Sequence, residues 1–290
     1  DITIESDASG TGSFIFSGTL PYVPSIDGTF EQYISNNQWH FISPVFNDVV
    51  SGDLTDGIND AYLRPYDVAG AVWDDYISDP SAGLNVGEGY QYFQYSTPFS
   101  YSGTGTFITD AVSLTLGLTT GATVPYGDGE NWNLIGNPYT CGLDWNTITD
   151  KTNCDGSTFY VYNGSTYLGH NGVAGVGGGT VSAGSSGIIP SMQGFFVKSL
   201  GTGNVDISNS NMAHPDVNFY KSTKSLPEYV SNFIRLNAAY EDQDFSIVLY
   251  QQEEATNGND DIYDASILFN NESEFMEFYS YAGDKESVIN

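Results

Sequence analysis

Two segments of this chain begin with the same tryptophan-led strand pattern, and the features that follow each one return in the same order. Trp39-His40-Phe41-Ile42 corresponds to Trp132-Asn133-Leu134-Ile135, an offset of 93 residues. Three further correspondences follow: Tyr66 with Tyr162, Trp73 with Tyr167, and Gly87-Glu88-Gly89-Tyr90 with Met192-Gln193-Gly194-Phe195. The last pair has the larger offset of 105 because the second copy holds a glycine-rich insertion at residues 169–187. A repeat of about a hundred residues is too long for a solenoid, so it predicts two tandem or pseudo-symmetric domains.

Short polar–apolar alternations, separated by glycine and proline, run through the whole chain. This pattern predicts strands and hairpins and leaves no room for a helix longer than about two turns. The predicted strands are residues 30–34, 39–42, 62–66, 90–95, 99–102, 112–118, 132–135, 158–162, 194–198, 204–208, 233–238 and 245–250. We therefore predict an all-β chain.

The repeat and the strand pattern together predict three regions. Residues 1–124 form an N-terminal β-sandwich that carries the first copy. Residues 125–214 form a second β-domain with the insertion at 169–187, and residues 215–290 form a C-terminal antiparallel β segment. The two repeat units are expected to be jelly-roll-like sandwiches related by internal duplication.

The charge balance restricts the partners. The chain has seven Lys and Arg residues and 36 Asp and Glu residues, which gives a net charge of -29. Nucleic acid is excluded because phosphate binding needs a basic patch, and an anionic membrane surface is disfavoured for the same reason. A chain this acidic needs screening by salt, by bound cations or by both, so a salty external medium and specific calcium sites both remain open.

No apolar run reaches transmembrane length, so we predict no direct membrane insertion. No secretory signal opens the sequence, and both ends resemble cuts inside a longer β-rich polypeptide. We therefore expect the chain to be a fragment of a larger protein.

Catalytic constellations are missing from the sequence. There is no Gly-x-Ser-x-Gly elbow and no phosphate-cradling glycine loop followed by a helix. The three histidines, His40, His170 and His214, show no spacing with a nucleophile, and paired carboxylates carry little information in so acidic a chain. We predict that the chain is not an enzyme.

The best candidate for a metal site is the acidic loop at residues 256–264. Asp260, Asp261 and Asp264 offer hard oxygen ligands within one turn-rich stretch, which suits calcium. The EF-hand spacing is absent, so an ordinary solvated acidic turn is the alternative.

Cys141 and Cys154 are the chain's two cysteines and are separated by a short polar stretch. Such a pair in an acidic, glycine-rich chain predicts a disulfide in an oxidising compartment. Two free thiols are the alternative.

Aromatic side chains alternate along the predicted strands, and one set could contact a sugar or a protein partner. Trp73, Tyr90 and Tyr92 are the candidates for that contact. The alternative is that they face the core, and the sequence does not decide which set points inward.

The motifs as a group resemble a recurrent region of large Bacteroidetes surface proteins that are cargo of the type IX secretion system. The resemblance rests on Trp39 to Pro44, Gly87 to Tyr90, Trp132 to Tyr139, Asp144-Trp145, Tyr160 to Asn163 and Pro190 to Val197. It covers nearly the whole chain, and the Asn-Leu-Ile-Gly-Asn-Pro-Tyr block is its most specific part. It implies a non-catalytic, extracellular, β-rich module and no particular ligand.

These observations lead to one main functional hypothesis and two alternatives. The main hypothesis is an extracellular structural or adhesive module of a surface-displayed or filament-forming protein, with other protein chains or extracellular glycans as partners. The first alternative is a carbohydrate-binding module assisted by calcium. The second is an accessory domain of a secreted polysaccharide-degrading enzyme.

Overall fold

The structure is a computed structural model. It describes residues 2–16, 26–55, 61–95, 98–120, 130–155, 158–162, 167–170, 177–178, 187–214, 233–240, 243–250, 256, 265–266, 279–282 and 285–289.

The described residues form strands and three single-turn 3-10 helices, at Ser51–Leu54, Trp145–Thr147 and Asn209–Asn211. The strands are β1 Ile2–Ile4, β2 Asp27–Ile34, β3 Trp39–Ile42, β4 Ala61–Asp67, β5 Val72–Trp73, β6 Tyr90–Gln94, β7 Phe99–Thr106, β8 Val112–Leu116, β9 Trp132–Gly136, β10 Gly142–Asp144, β11 Lys151–Cys154, β12 Phe159–Tyr162, β13 Tyr167–His170, β14 Gly177–Gly178, β15 Ile188–Ile189, β16 Gly194–Ile207, β17 Met212–Ala213, β18 Phe233–Tyr240, β19 Gln243–Tyr250, β20 Ala265–Ser266, β21 Ser280–Ala282 and β22 Lys285–Ile289. The predicted all-β class is confirmed. None of the helices found among these residues has the length and apolar character needed to cross a membrane.

The first half of the chain packs two sheets against each other. One sheet has the order β1-β2-β7 and the other the order β3-β6-β4-β5. Phe30, Ile34 and Tyr101 from the first sheet share a buried cluster with Leu63 and Tyr92 from the second. This sandwich-like layer is stabilised by burial of large apolar side chains, which is the dominant favourable term in folding.

The second half is organised around β16. This 14-residue strand pairs with β9 over its first part, with β8 over its second part, and with β11 and β12 as well. A three-stranded sheet of order β15-β10-β17 supplies Leu143 and Ile189 to the same buried cluster as Val197 and Val205 of β16.

Our prediction of two strands at residues 194–198 and 204–208 was wrong, since β16 runs through both without a turn. Gly203, which lies between the two predicted strands, is where β11 approaches closely: a Cβ there would be 2.1 Å from the Thr152 carbonyl oxygen. The ladder between β11 and β16 shifts register between Thr152 and Cys154, as expected at a bulge. The glycine therefore permits close approach of a neighbouring backbone and does not mark a chain reversal.

The strand contacts cross the predicted domain boundary at residue 124. β8 precedes that boundary, yet it pairs along five residues with β16. The two repeat copies also share a third buried cluster, in which Phe41 from the first copy packs with Trp132 and Phe196 from the second. The described parts of the two halves thus share a strand pairing and a buried cluster across residue 124.

The two copies meet through a reciprocal joint, defined here as Ile42-Ser43 and Ile135-Gly136 with the turns Gly87-Glu88 and Met192-Gln193. Ile42 bridges Gln193, and the corresponding Ile135 bridges Glu88. The Ser43 amide donates to the Met192 carbonyl at 3.0 Å, and the Gly136 amide donates to the Gly87 carbonyl at 2.9 Å. Both of these contacts are therefore made twice, with the roles of the two segments exchanged.

The turns of this joint share an unusual backbone conformation. Gly87 has φ of 81°, and the corresponding Met192 has φ of 60°. Positive φ costs little for glycine, but a side chain is strained there. Met192 is 1 % exposed, and burial of its side chain offsets that strain.

The C-terminal region contains the predicted hairpin. β18 and β19 pair antiparallel from Phe233 with Tyr250 to Tyr240 with Gln243. β22 and β20 extend this sheet in the order β18-β19-β22-β20. The prediction of an antiparallel pair is confirmed for these strands.

Candidate functional site

The four-stranded sheet β3-β6-β4-β5 has two faces of different character. Trp39, Phe93 and Tyr62 lie directly opposite one another on β3, β6 and β4. The next row, His40, Tyr92 and Leu63, points the other way and is buried. Because strand side chains alternate with a period of two, the first row faces away from the core formed with β1-β2-β7.

Our candidates Tyr90 and Tyr92 lie on the inner face. Tyr90 is 3 % exposed and Tyr92 is 0 % exposed, so neither ring is available to a partner in this structure. The Tyr92 hydroxyl donates to the Leu54 carbonyl at 2.9 Å, and burial raises the pKa of Tyr90. The alternation that we used is real, but β6 is a central strand of its sheet, and these two tyrosines fall on its core side.

The outer face carries an aromatic surface, defined as Trp39, Tyr62, Tyr76, Phe93 and Tyr95. Trp39 and Tyr76 present nearly parallel rings with centroids 6.4 Å apart, and Trp39 contacts Phe93 at 4.9 Å. Tyr62 contacts Tyr76 at 5.1 Å and Tyr95 at 5.6 Å. Tyr76 is 44 % exposed and Tyr95 is 47 % exposed, while the other three are half-buried. Five mutually packed rings thus reach solvent on one side of the sheet.

Arg64 lies within this surface. Its guanidinium carbon is 4.8 Å from the ring centroid of Tyr76, 5.2 Å from that of Trp73 and 5.8 Å from that of Trp39. Its Nε donates to Gln91 Oε1 at 2.6 Å. The contacts of Arg64 within the described part of the chain include no carboxylate, although acids outnumber bases about fivefold. Cation–π attraction, and not an ion pair, holds this charge at the surface.

Trp73, the third sequence candidate, joins the aromatic surface to the buried cluster between the copies. It is half-buried and contacts Phe41, Tyr66 and Phe196 at 5.7, 5.3 and 5.9 Å. Burial, with a smaller effect of Asp67, raises the pKa of Tyr66 to about 12. Trp73 therefore packs between the aromatic surface and the buried cluster, and only part of its ring is exposed to solvent.

Sequence reasoning missed most of the aromatic surface. The alternation along β6 placed Phe93 and Tyr95 on the face opposite Tyr92, but nothing in the sequence showed which face was covered. Tyr76 lies outside any strand, so the pattern gave no signal for it.

The corresponding surface of the second copy is covered. Trp132, the counterpart of Trp39, is 2 % exposed and packs edge-on against Tyr160 at 5.1 Å. Lys198 lies over its ring at 5.7 Å. The equivalent tryptophans therefore differ in role: one is core and the other is partly open to solvent.

The predicted disulfide between Cys141 and Cys154 is not formed in this structure, which has both residues as buried free thiols. Cys141 immediately precedes β10 in the three-stranded sheet, whereas Cys154 ends β11, which is paired to β16. Both side chains pack into the same apolar cluster from these different sheets. Burial raises the pKa of each thiol to about 12. They act as small apolar core residues.

The calcium candidates Asp260, Asp261 and Asp264 lie outside the described residues, so that site stays a prediction. In the described part of the chain, no three His, Cys, Asp or Glu side chains come together in a group that could hold a metal ion.

The three histidines have different hydrogen-bond partners. His40 Nε2 lies 3.0 Å from the Ser35 carbonyl, His170 Nε2 lies 3.3 Å from Asn146 Oδ1, and His214 Nδ1 lies 3.0 Å from Ser13 Oγ. Burial lowers the pKa of His40 and of His170 to about 4. Both imidazoles are therefore neutral in the folded protein near pH 7.

The Asn-Leu-Ile-Gly-Asn-Pro motif has a structural role. Asn137 is 0 % exposed and donates to the carbonyls of Cys141, Ile189 and Pro190 at 2.8 to 3.0 Å. Asn133, 2 % exposed, accepts from the Gly117 amide at 2.7 Å. Each asparagine hydrogen-bonds to backbone groups of neighbouring segments, and an amide suits this position because it is both donor and acceptor.

Comparison with known proteins gives one match. The sequence model of a family described as "Domain of unknown function (DUF8693)" matches residues 91–290. The chain belongs to this family. No curated protein and no solved structure matches the chain. The DUF8693 match begins within β6, so it includes Phe93 and Tyr95, whereas Trp39, Tyr62 and Tyr76 of the aromatic surface precede it.

Proposed function

We propose that this chain is a non-catalytic adhesive module displayed outside the cell, and that the aromatic surface around Arg64 is its contact surface. The observation that carries the proposal is the exposure of packed aromatic rings around a cation without a carboxylate partner among the described residues. Tyrosine, tryptophan and arginine are the residue types that dominate binding energy at contact surfaces.

Two further observations support this proposal. The imidazoles have different partners, and two of them are buried and neutral, which is poor placement for general acid–base work. The strong negative charge suits a protein that stays soluble in a salty external medium. The resemblance to surface-displayed type IX cargo also supports a location outside the cell.

We also propose that the two copies arose by duplication and pack around a pseudo-twofold axis. The reciprocal joint supports this, because the bridges Ile42–Gln193 and Ile135–Glu88 exchange corresponding residues. Corresponding glycines fit corresponding neighbours as well: a Cβ on Gly89 would be 2.6 Å from Leu134, and one on Gly194 would be 3.0 Å from Phe41. Independent domains in tandem would have no reason to repeat these contacts.

An adhesion assay tests the function. Beads coated with the whole chain should be retained under flow on surfaces coated with polysaccharide or with extracellular-matrix protein, and the double variant Trp39→Ala/Tyr76→Ala should lower retention at least fivefold. Tyr281→Ala is the matched control because Tyr281 is 61 % exposed and lies outside the aromatic surface. Retention no greater than that of beads coated with an unrelated acidic protein, on every surface, would refute the proposal.

Self-association is a second candidate function, and one observation favours it. Ile234 and Leu236 on β18 are 60 % and 42 % exposed, and β18 is the terminal strand in the described order of its sheet. An exposed apolar edge of this kind is a site for strand addition between copies. Sedimentation velocity across a hundredfold concentration range should then show growth that Ile234→Lys abolishes, and a constant monomer would rule the idea out.

A further inference from the structure

We infer that the aromatic surface binds a neutral polysaccharide, with pyranose rings stacked across Trp39, Phe93 and Tyr62. This inference rests on the proposed adhesive function and names the chemical class of its target. Three independent features of the surface support it: its ring faces, its polar groups and its charge.

The first feature is a row of partly exposed aromatic rings, a kind of surface that packs against the apolar side of a sugar. A pyranose has a face of C–H groups, which carry partial positive charge, and an aromatic face is the negative end of a quadrupole. Trp39, Phe93 and Tyr62 lie on three adjacent strands in direct register. Two strand spacings amount to about 10 Å, which is roughly the length of two linked sugar rings. The row therefore fits an extended oligosaccharide lying across the strands.

The polar groups fit hydroxyl recognition. Arg64 uses its Nε to donate to Gln91, and none of its other N–H groups has a partner within the described part of the chain. An arginine held by ring faces keeps its charge and its fork of donors in a fixed place. Sugar hydroxyls and ring oxygens are acceptors that these donors can reach at the edge of the stacked row.

The charge selects neutral over acidic sugars. Asp74 and Asp75 are exposed beside Tyr76, and the Asp74 amide donates to the Pro65 carbonyl at 3.1 Å, next to Arg64. These carboxylates can accept hydrogen bonds from hydroxyl groups, but they repel a uronate. The net charge of -29 opposes approach of any polyanion as well.

The inference is tested by isothermal titration of the whole chain with cellohexaose, xylohexaose, mannohexaose and laminarihexaose, each against its own disaccharide. At least one hexasaccharide should bind, and more tightly than its disaccharide, because the row spans more than one ring. Trp39→Ala and Tyr62→Ala should each weaken that binding at least tenfold, and Arg64→Gln should weaken it at least threefold. Tyr281→Ala should bind as the parent does, and a urea titration of each variant checks that the fold is intact.

Three outcomes would overturn the inference. The first is binding of polygalacturonate that depends on Arg64, with no binding of neutral sugars. The second is equal loss of binding in Tyr281→Ala. The third is that no sugar binds in the titrations while coated beads still adhere to protein surfaces through Trp39 and Tyr76. That result would support the adhesive function and refute a polysaccharide as its target.

Discussion

Gly136 lies at the centre of the reciprocal joint, and its replacement by alanine should be strongly destabilising. A Cβ at this position would be 2.1 Å from Ser43 Cβ and 2.2 Å from Ser43 Oγ, well inside contact distance. Ser43 is 0 % exposed and directly follows β3, the corresponding strand of the other copy, so its side chain is enclosed by the protein. Overpacking of this kind costs about 1–3 kcal/mol, and we expect the Gly136→Ala loss to lie at the upper end of that range.

The control is Gly83→Ala. Gly83 is exposed, and a Cβ there meets nothing within 4 Å. Its free energy of unfolding, from urea titration followed by tryptophan fluorescence, should stay within about 0.5 kcal/mol of the parent. Comparing the two variants separates the general effect of replacing glycine by alanine on the free energy of unfolding from the effect of the clash at the reciprocal joint.

Ser43→Gly supplies the rescue. It removes both short contacts, and the next nearest atom to the new Cβ is the Glu88 carbonyl oxygen, at 3.2 Å. Ser43 Oγ is buried without a hydrogen-bond partner, so its removal costs little beyond the roughly 0.5–1 kcal/mol of added chain entropy. The double variant should be more stable than the sum of the two single changes predicts, by more than about 1 kcal/mol. Strict additivity, or a Gly136→Ala variant as stable as Gly83→Ala, would refute the contact between the copies.

Three further predictions concern buried polar groups. The pKa of His40 and of His170 is about 4 in the folded chain and 6.5 in the unfolded chain. Between these values only the unfolded chain takes up protons, so protonation favours unfolding. The free energy of unfolding should therefore fall by on the order of 3 kcal/mol per histidine as pH drops from 7 to 4. Urea titrations at pH 7 and pH 5 should show a smaller drop in His40→Gln/His170→Gln than in the parent, and an unchanged drop would contradict these burial-lowered values. Cys141 and Cys154 should be nearly unreactive toward a thiol reagent in the native protein and yield two thiols per chain in denaturant without reductant, whereas a disulfide would yield none. Asn137→Ala removes three hydrogen bonds to backbone carbonyls and should cost about 2–4 kcal/mol by urea titration, and a loss under 1 kcal/mol would show that water replaces the amide.

The sequence determined the class of fold and the positions of several strands. Trp39–Ile42 was predicted to the residue, because the strand-forming residues Trp39, Phe41 and Ile42 lie between a polar turn and Ser43-Pro44. The hairpin of β18 and β19 followed from two alternating runs on either side of an acidic turn. These are local signals, and local pattern is what a sequence displays directly.

Only the tertiary structure decided which side of each strand is covered. Tyr92 and Phe93 are adjacent aromatic residues on one strand, yet one is fully buried and the other opens onto the aromatic surface. Alternation separates the two faces, but the sheet that packs against one of them comes from distant parts of the chain. The same reason explains Cys141 and Cys154, whose nearness in sequence predicted a disulfide although they enter the core from different sheets. Burial is a property of packing between segments far apart in sequence, and for that reason the candidate site emerged only from the folded chain.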